Sequence, residues 1–198
     1  IPRLAGRDGQ DLVRHLAEIT YQRHLKHGST IFHLEPNLKE VPGGLRDYHV
    51  ARWLTLIVEL DKQGRWVTPE SLWPPPLTAD SRRAFEYLAA TRCLVHFHQG
   101  RDDNLLTYEL QELAAARGLG HHPGRAVSTA AWMRGHFRHA RSIERLTRGL
   151  LDEIVPARST LYGLFQDWRS RLSNADFLVM RGRIFPRQPE QIADLNLL

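Results

Sequence analysis

Residues 34–47 read LEPNLKEVPGGLRD and contain two prolines, two adjacent glycines, three carboxylates and two cations. An apolar-periodic run follows directly, starts at Leu45 and predicts a helix. Gly43 and Gly44 stand just ahead of this helix, whose first N–H groups have no partner within the helix itself. Because such a terminus attracts anions, and phosphate above all, residues 34–47 form a candidate anion-binding turn.

Two side chains strengthen that interpretation, because Lys39 and Arg46 would bring a mobile and a planar cation to the same place. The same residues also suit a stiff entry to a helix, with the charges simply solvated. The residues alone leave both interpretations open.

The rest of the chain predicts a mainly α-helical bundle with a small β element. Apolar periodicity and glycine stops predict helices over residues 11–27, 45–63, 79–99, about 102–117 and 127–154. A short strand is predicted at about 29–34, where the residues are β-prone. A β-hairpin is predicted near the C-terminus, where two short apolar stretches flank Arg181-Gly182.

The connecting segments complete a predicted single helical domain over residues 1–198. Residues 1–9 are rich in Pro, Gly and Arg and are expected to be a linker. Pro74-Pro75-Pro76 is expected to be a stiff connector, with Thr78 capping the helix that follows. The helical bundle is then expected over 11–174, and the hairpin with its tail over 175–198.

The composition is ordinary for a globular protein, with 42% hydrophobic and 25% charged residues. The net charge of +5 permits a polyanionic partner, but no aromatic-and-basic module predicts nucleic acid as that partner. Cys93 is the one cysteine, which excludes an internal disulfide and fits a reducing cytoplasm. No apolar run is long enough to predict a membrane partner. The absence of an initiator Met predicts a piece of a longer protein.

Residues 34–47 resemble a signature of the bifunctional PII uridylyltransferase/uridylyl-removing enzymes of bacterial nitrogen sensing. The positions that fall on that signature are Glu35, Pro36, Asn37, Lys39, Glu40, Pro42, Gly43, Gly44, Leu45, Arg46 and Asp47. Val41 stands where the family usually has a glycine, and Tyr48 where it usually has an isoleucine.

The resemblance continues downstream and covers nearly the whole chain. Arg92–His96 with Gly100-Arg101 resembles an Arg-x-x-Leu-His…Gly-Arg run, and Trp132–Leu151 resembles the family's long helix. Phe177–Leu198 resembles the hairpin and Leu-rich segment that precede its His-Asp phosphohydrolase domain. The three consecutive prolines are a departure.

The resemblance implies the helical, substrate-binding region between a nucleotidyltransferase domain and a His-Asp domain, with both domains and the PII protein as partners. For the full-length enzyme it also implies UTP and Mg²⁺. The residues implied to face the triphosphate or pyrophosphate are Lys39, Gly43, Gly44 and Arg46. The supporting groups are Glu35, Asn37 and Asp47, with the two carboxylates orienting the two cations or lying near the metal.

The catalytic motifs of that family do not occur in this chain. Gly28-Ser29 has no Asp-x-Asp after it, and no histidine is followed by aspartate. We therefore predict no catalytic residue and expect no catalysis by these 198 residues alone. No histidine pair has the spacing and glutamate of a zinc helix, so no metal site is predicted. Two alternatives stay open: a non-catalytic interaction scaffold, and the related region of a glutamine-synthetase adenylyltransferase.

Overall fold

A computed structural model describes residues 2–64, 67–120, 126–154, 177–180 and 183–186 of the chain. The chain divides into two compact units, residues 1–155 and residues 156–198. The predicted boundary between bundle and hairpin, at residues 174 and 175, lies outside the described residues.

The described part of the first unit is helical, as the periodicity predicts. Its α-helices are α1 (Pro2–Lys26), α2 (Leu45–Gln63), α3 (Pro75–Gln99), α4 (Tyr108–Ala116) and α5 (Thr129–Ile154). A 3₁₀ turn, Pro69–Leu72, lies between α2 and α3. The start of α2 and the whole of α5 agree with the prediction to within two residues, because their apolar periodicity is long and uninterrupted.

The helix α5 lies at the centre of the unit and packs against α2, α3 and α4. Its apolar stripe is buried, as expected for an amphipathic helix. The buried side chains of this core include Leu38, Leu88, Leu106, Leu110, Trp132, Ile143 and Leu146.

The helix α1 packs along α2, and its apolar face joins a second, smaller cluster with α2 and α5. The buried members of this cluster are Val13, Ala17, Val50, Leu54 and Leu151. The residues just before α2 therefore lie where three helices meet, and this junction positions the candidate site.

The predicted linker at residues 1–9 is wrong, because α1 already begins at Pro2. Proline is tolerated in the first turn of a helix, where its missing N–H would have no partner. A side chain added at Gly9 would lie 3.3 Å from the Asp61 carboxyl group, so this glycine permits close packing on the end of α2.

The three prolines begin a helix instead of serving as a connector. The helix α3 starts at Pro75, with Pro74 at the capping position, four residues before the predicted start. Pro75 and Pro76 occupy first-turn positions, where no intrahelical N–H bond is lost. Thr78 lies inside the helix, and its hydroxyl is 3.2 Å from the carbonyl oxygens of Glu70, Trp73 and Pro74.

The strand predicted at residues 29–34 is also wrong. Ser29 has a φ of 52°, and the Thr30 hydroxyl accepts the Phe32 N–H at 3.1 Å, so the segment turns. The nearest β-type pairing in the described residues follows this segment, where Asn37 forms an isolated antiparallel bridge with Leu105.

The start of α4 lies at Tyr108 and not at Asp102 or Asp103. The Asp103 carboxylate instead accepts the N–H groups of the two following residues, which forms a turn. The side chain of Thr107 then caps α4 by accepting the Leu110 N–H.

In the second unit, strands β1 (Phe177–Met180) and β2 (Arg183–Pro186) pair antiparallel. Phe177 pairs with Pro186, and Met180 pairs with Arg183. The two residues that connect the strands lie outside the described residues.

Candidate functional site

The loop before α2 is held by hydrogen bonds of its own backbone. The Asn37 side chain begins it, since its Oδ1 accepts the N–H groups of Lys39 at 3.1 Å and Glu40 at 2.9 Å. The N–H groups of residues 44–47 all donate to carbonyl oxygens of residues 38–44. The first amides of α2 are therefore already paired within the chain.

The glycine pair allows two close approaches of backbone to backbone. Gly43 has a φ of +75°, and a Cβ atom there would lie 2.3 Å from the carbonyl oxygen of Ala140 in α5. A Cβ atom on Gly44 would lie 2.8 Å from the carbonyl oxygen of Lys39. Both glycines are buried. The structure thus gives both glycines a packing role, Gly43 against α5 and Gly44 within the loop.

Asp47 is the polar centre of this junction and has no exposed surface. Its carboxylate accepts the Gly43 N–H at 2.8 Å, bonds from His24 Nε2 at 2.9 and 3.0 Å, and a bond from Arg23 Nη2. Its carbonyl oxygen accepts the Thr147 hydroxyl at 3.0 Å. One residue therefore connects α1, the loop, α2 and α5.

The pKa of Asp47 reflects these contacts. Burial alone would raise the pKa of this carboxyl group, but the hydrogen bond and charge of His24, with those of Arg23, lower it below the usual value. The group is ionised at neutral pH and fully paired. The prediction that Asp47 orients Lys39 and Arg46 is therefore wrong.

The other two carboxylates of the loop, Glu35 and Glu40, have different partners. Glu35 does not orient the cations, because its Oε1 accepts the Tyr108 N–H at 2.9 Å in the first turn of α4. Glu40 takes that place: its Oε1 accepts Arg46 Nε at 3.1 Å and Nη2 at 2.8 Å, and it lies 4.0 Å from Lys39 Nζ.

The two cations named by the sequence lie together at an open cavity of about 200 Å³. Their side chains remain 38% exposed for Lys39 and 41% exposed for Arg46, so both can reach a ligand. The residues that line the cavity are Lys39, Leu45, Arg46, His49, Trp53 and Arg92. Lys39 and Arg46 are therefore brought together at a surface, whereas Gly43 and Gly44 are not part of its lining.

A third cation reaches the cavity from α3. The Arg92 guanidinium donates to Asn104 Oδ1 at 2.6 Å and to Asp102 Oδ1 at 3.0 Å. These bonds fix the plane of the guanidinium beside the cavity. An arginine held in this way is suited to planar, two-point contact with phosphate or carboxylate.

The cavity is lined by three cations and two aromatic rings, and Glu40 and Asp102 pair with two of the cations. Burial lowers the pKa of His49 first, and the charges of Arg52 and Arg46 lower it further. The imidazole is therefore neutral at pH 7 and adds no charge to the cavity. This arrangement can bind an anion in contact with flat, uncharged rings.

No group of three or more His, Cys, Asp or Glu side chains gathers as a metal site among the residues that the structure describes. Asp47, which was expected near the metal, is fully engaged by Arg23 and His24. These residues do not fit the Mg²⁺ that the resemblance implies for the full-length enzyme, and we assign them no metal-dependent step. No helix in the described ranges is both long and apolar enough to cross a membrane.

Several residues of the site are not found by sequence reasoning. Arg23 and His24 lie on a helix more than twenty residues before Asp47, so only tertiary packing reveals their contact. Trp53 lies on α2 and is 48% exposed, which the apolar periodicity of that helix does not reveal. The spacing of Arg46, His49 and Trp53 by three and four residues is the signal that could have placed them on one face.

Comparisons with known proteins agree with the sequence signature. A family model described as GlnD PII-uridylyltransferase matches residues 12–151. The chain is 34% identical over 189 residues to a bifunctional uridylyltransferase/uridylyl-removing enzyme of Cereibacter sphaeroides, covering 89% of this chain and 20% of that protein.

Two further relatives carry the same description. The protein of Ruegeria pomeroyi is 34% identical, with 89% of this chain and 20% of that protein covered. The protein of Burkholderia vietnamiensis is 29% identical, with 89% of this chain and 21% of that protein covered. The chain thus spans about one fifth of the length of these relatives. No solved structure matches the chain.

Proposed function

Because this chain belongs to the GlnD PII-uridylyltransferase family, we propose that it is the helical substrate- and nucleotide-binding region of a cytoplasmic PII uridylyltransferase. The whole enzyme uridylylates and deuridylylates the PII nitrogen-regulatory protein. The partners of this region are the nucleotidyltransferase domain before it, the His-Asp domain after it, and PII. The region itself contributes binding contacts, and the reacting groups belong to the neighbouring domains.

The observation that carries this proposal is the pair of exposed cations at the cavity. Lys39 comes from the loop and Arg46 from the first turn of α2, and both line the same open space. Glu40 holds the Arg46 side chain through two hydrogen bonds while leaving it partly exposed. Held cations of this kind bind the phosphate oxygens of UTP more favourably than mobile ones.

Asp47 supports this contact indirectly, by holding the loop that carries Lys39. Its bonds to Arg23, His24 and Gly43 fix the loop on α1 and α5. The loop that carries Lys39 is therefore rigid, and the direction of the Lys39 backbone is set by buried contacts. In this proposal Gly43 and Gly44 act by shaping the loop instead of touching phosphate.

A second candidate function is a non-catalytic interaction scaffold. It is favoured by the pairing of the N–H groups of residues 44–47 within the chain, which leaves the start of α2 without free amides for an anion. On this alternative the glycine pair begins a helix, and the cations are solvated.

The two candidate functions predict different effects of Lys39 and Arg46 substitutions on UTP binding. In the full-length enzyme, Lys39→Ala and Arg46→Ala should each raise the KM for UTP by about tenfold in uridylyl transfer to PII, because each removes a charge-assisted contact. Arg83→Ala is the matched control, since Arg83 is an exposed α3 residue paired with Asp80.

The control should leave the KM for UTP unchanged. If Lys39→Ala and Arg46→Ala behave like the control, with the KM for UTP and the transfer rate both unaltered, the phosphate contact is refuted and the scaffold is favoured.

A further inference from the structure

The tryptophan at the cavity is unusually exposed for its size. Trp53 keeps 48% of its surface accessible, although large aromatic side chains are buried in most folds. It lies seven residues after Arg46, so the two side chains share one face of α2. An exposed indole beside held cations indicates a surface for a ligand that has both a ring and negative charge.

The neighbouring imidazole extends this surface. The rings of His49 and Trp53 stack with an interplanar angle of 26° and a centroid separation of 6.2 Å. Burial, and then the charges of Arg52 and Arg46, lower the pKa of His49, so its neutral ring does not repel the cations beside it. Trp53 is thus held in a defined orientation at the edge of the cavity.

The spacing between the ring and the cations suits a nucleotide. A rise of 1.5 Å per residue separates Arg46 from Trp53 by about 10 Å along α2, comparable with the reach from the base to the outer phosphates of a nucleoside triphosphate. The open cavity of about 200 Å³ is lined by both aromatic rings and cations. A nucleotide, which carries a flat base and phosphates, matches this lining better than an acidic peptide does.

We propose that this cavity is a nucleotide subsite in which the base stacks on Trp53 while Arg92 joins Lys39 and Arg46 in binding the phosphates. The inference rests on the proposed function and adds two residues to it. Trp53 contributes base stacking, which tolerates different bases because every base has a flat face. Arg92 contributes a guanidinium that Asn104 and Asp102 already orient.

The test separates the base from the phosphates by titrating this chain with UTP, pyrophosphate and uridine. Binding is followed by ¹H–¹⁵N NMR up to about 10 mM ligand, which covers millimolar dissociation constants. The Trp53 indole signal is identified by its loss in Trp53→Phe. Phe97→Ala is the control for removing an exposed ring, since Phe97 is 83% exposed and does not line the cavity.

The proposal predicts a split between the ligands. Trp53→Ala should weaken UTP binding at least about fivefold and change pyrophosphate binding by less than about twofold, and Trp53→Phe should restore UTP binding. Arg92→Ala should weaken UTP and pyrophosphate alike, by about tenfold. Phe97→Ala should change neither.

Each contrary result has one meaning. If Trp53→Ala leaves UTP binding unchanged, or weakens pyrophosphate equally, the stacking role is refuted while the proposed function stands. If pyrophosphate binding is insensitive to Lys39→Ala and Arg46→Ala, the phosphate contact of the proposed function fails. If neither UTP nor pyrophosphate perturbs any cavity signal, the subsite is refuted.

Discussion

The substitution Gly43→Ala tests how the loop before α2 is built. Gly43 adopts a φ of +75°, a conformation that costs an L residue about 1–2 kcal/mol. A Cβ atom there would also lie 2.3 Å from the Ala140 carbonyl oxygen and 2.8 Å from its carbonyl carbon. Because these are backbone atoms of α5, no flexible side chain can move aside.

The expected loss in the free energy of unfolding is the sum of the conformational cost and the packing cost. Forcing an extra methyl group into a packed interior costs about 1–3 kcal/mol. With the conformational cost, Gly43→Ala should lower the free energy of unfolding by about 2–5 kcal/mol. Gly64→Ala is the matched control, because Gly64 has a φ of +67° at the end of α2 but no atom within 4 Å of an added Cβ.

Urea unfolding followed by circular dichroism measures both variants at pH 7. The account predicts that Gly64→Ala lowers the free energy of unfolding by about 1–2 kcal/mol, and that Gly43→Ala costs about 1–3 kcal/mol more than that. If the two variants are equally stable, the close approach of the loop to α5 does not exist and the reasoning is refuted.

Three further predictions concern buried and capping groups. Asp47→Asn should destabilise the fold by about 3 kcal/mol or more at pH 7, because it leaves the largely buried Arg23 charge without its carboxylate counter-ion. Folding lowers the pKa of Asp47 below 3.8, so the free energy of unfolding of the wild type falls as the pH drops below about 4. In urea unfolding, the difference in stability between the wild type and Asp47→Asn should therefore shrink below about pH 4. Burial first, and then the charge of His139, lowers the pKa of His136 to about 4 in the folded state. Because the unfolded chain takes up this proton at pH 6.5, the stability that the neutral ring contributes is fully present above pH 6.5. The free energy of unfolding should fall by about 3 kcal/mol as the pH falls from 6.5 to 4. An NMR titration in which the His136 ring gains its proton near pH 6.5 would contradict this. Glu35→Ala should cost about 1 kcal/mol in urea unfolding, since it removes the acceptor for the Tyr108 N–H, and an unchanged unfolding midpoint would exclude that capping role.

The helices that could be predicted are those whose evidence is local. The helix α5 keeps its apolar period for 26 residues, and α2 ends at a glycine with a left-handed conformation, so both follow from the sequence. The start of α4 could not be predicted, because Asp103 looks like a helix cap but bonds to the next two amides. The Leu38 N–H also donates to the Asn104 carbonyl oxygen and the Leu106 N–H to the Pro36 carbonyl oxygen, so residues 104–106 pair with the loop before α2 and the helix begins after them.

The cations of the candidate site could be predicted from the sequence, but the residues that hold and surround them could not. Lys39 and Arg46 were identified from the signature, and both line the cavity. The partner of Arg46 is Glu40 instead of Asp47, and sequence spacing could not distinguish two carboxylates in the same loop. Arg92 lies on another helix, so its arrival at the cavity depends on how α2 and α3 pack.

In the proposed function, Lys39 and Arg46 bind the phosphates of UTP. The most direct measurement is the equilibrium dissociation constant for UTP in the full-length enzyme carrying both Lys39→Ala and Arg46→Ala. The comparison is a double variant with Arg82→Ala and Arg83→Ala, which removes two exposed cations of α3. The account predicts that the first double variant binds UTP at least about tenfold more weakly and the second binds normally. Equal dissociation constants in the two double variants would contradict it.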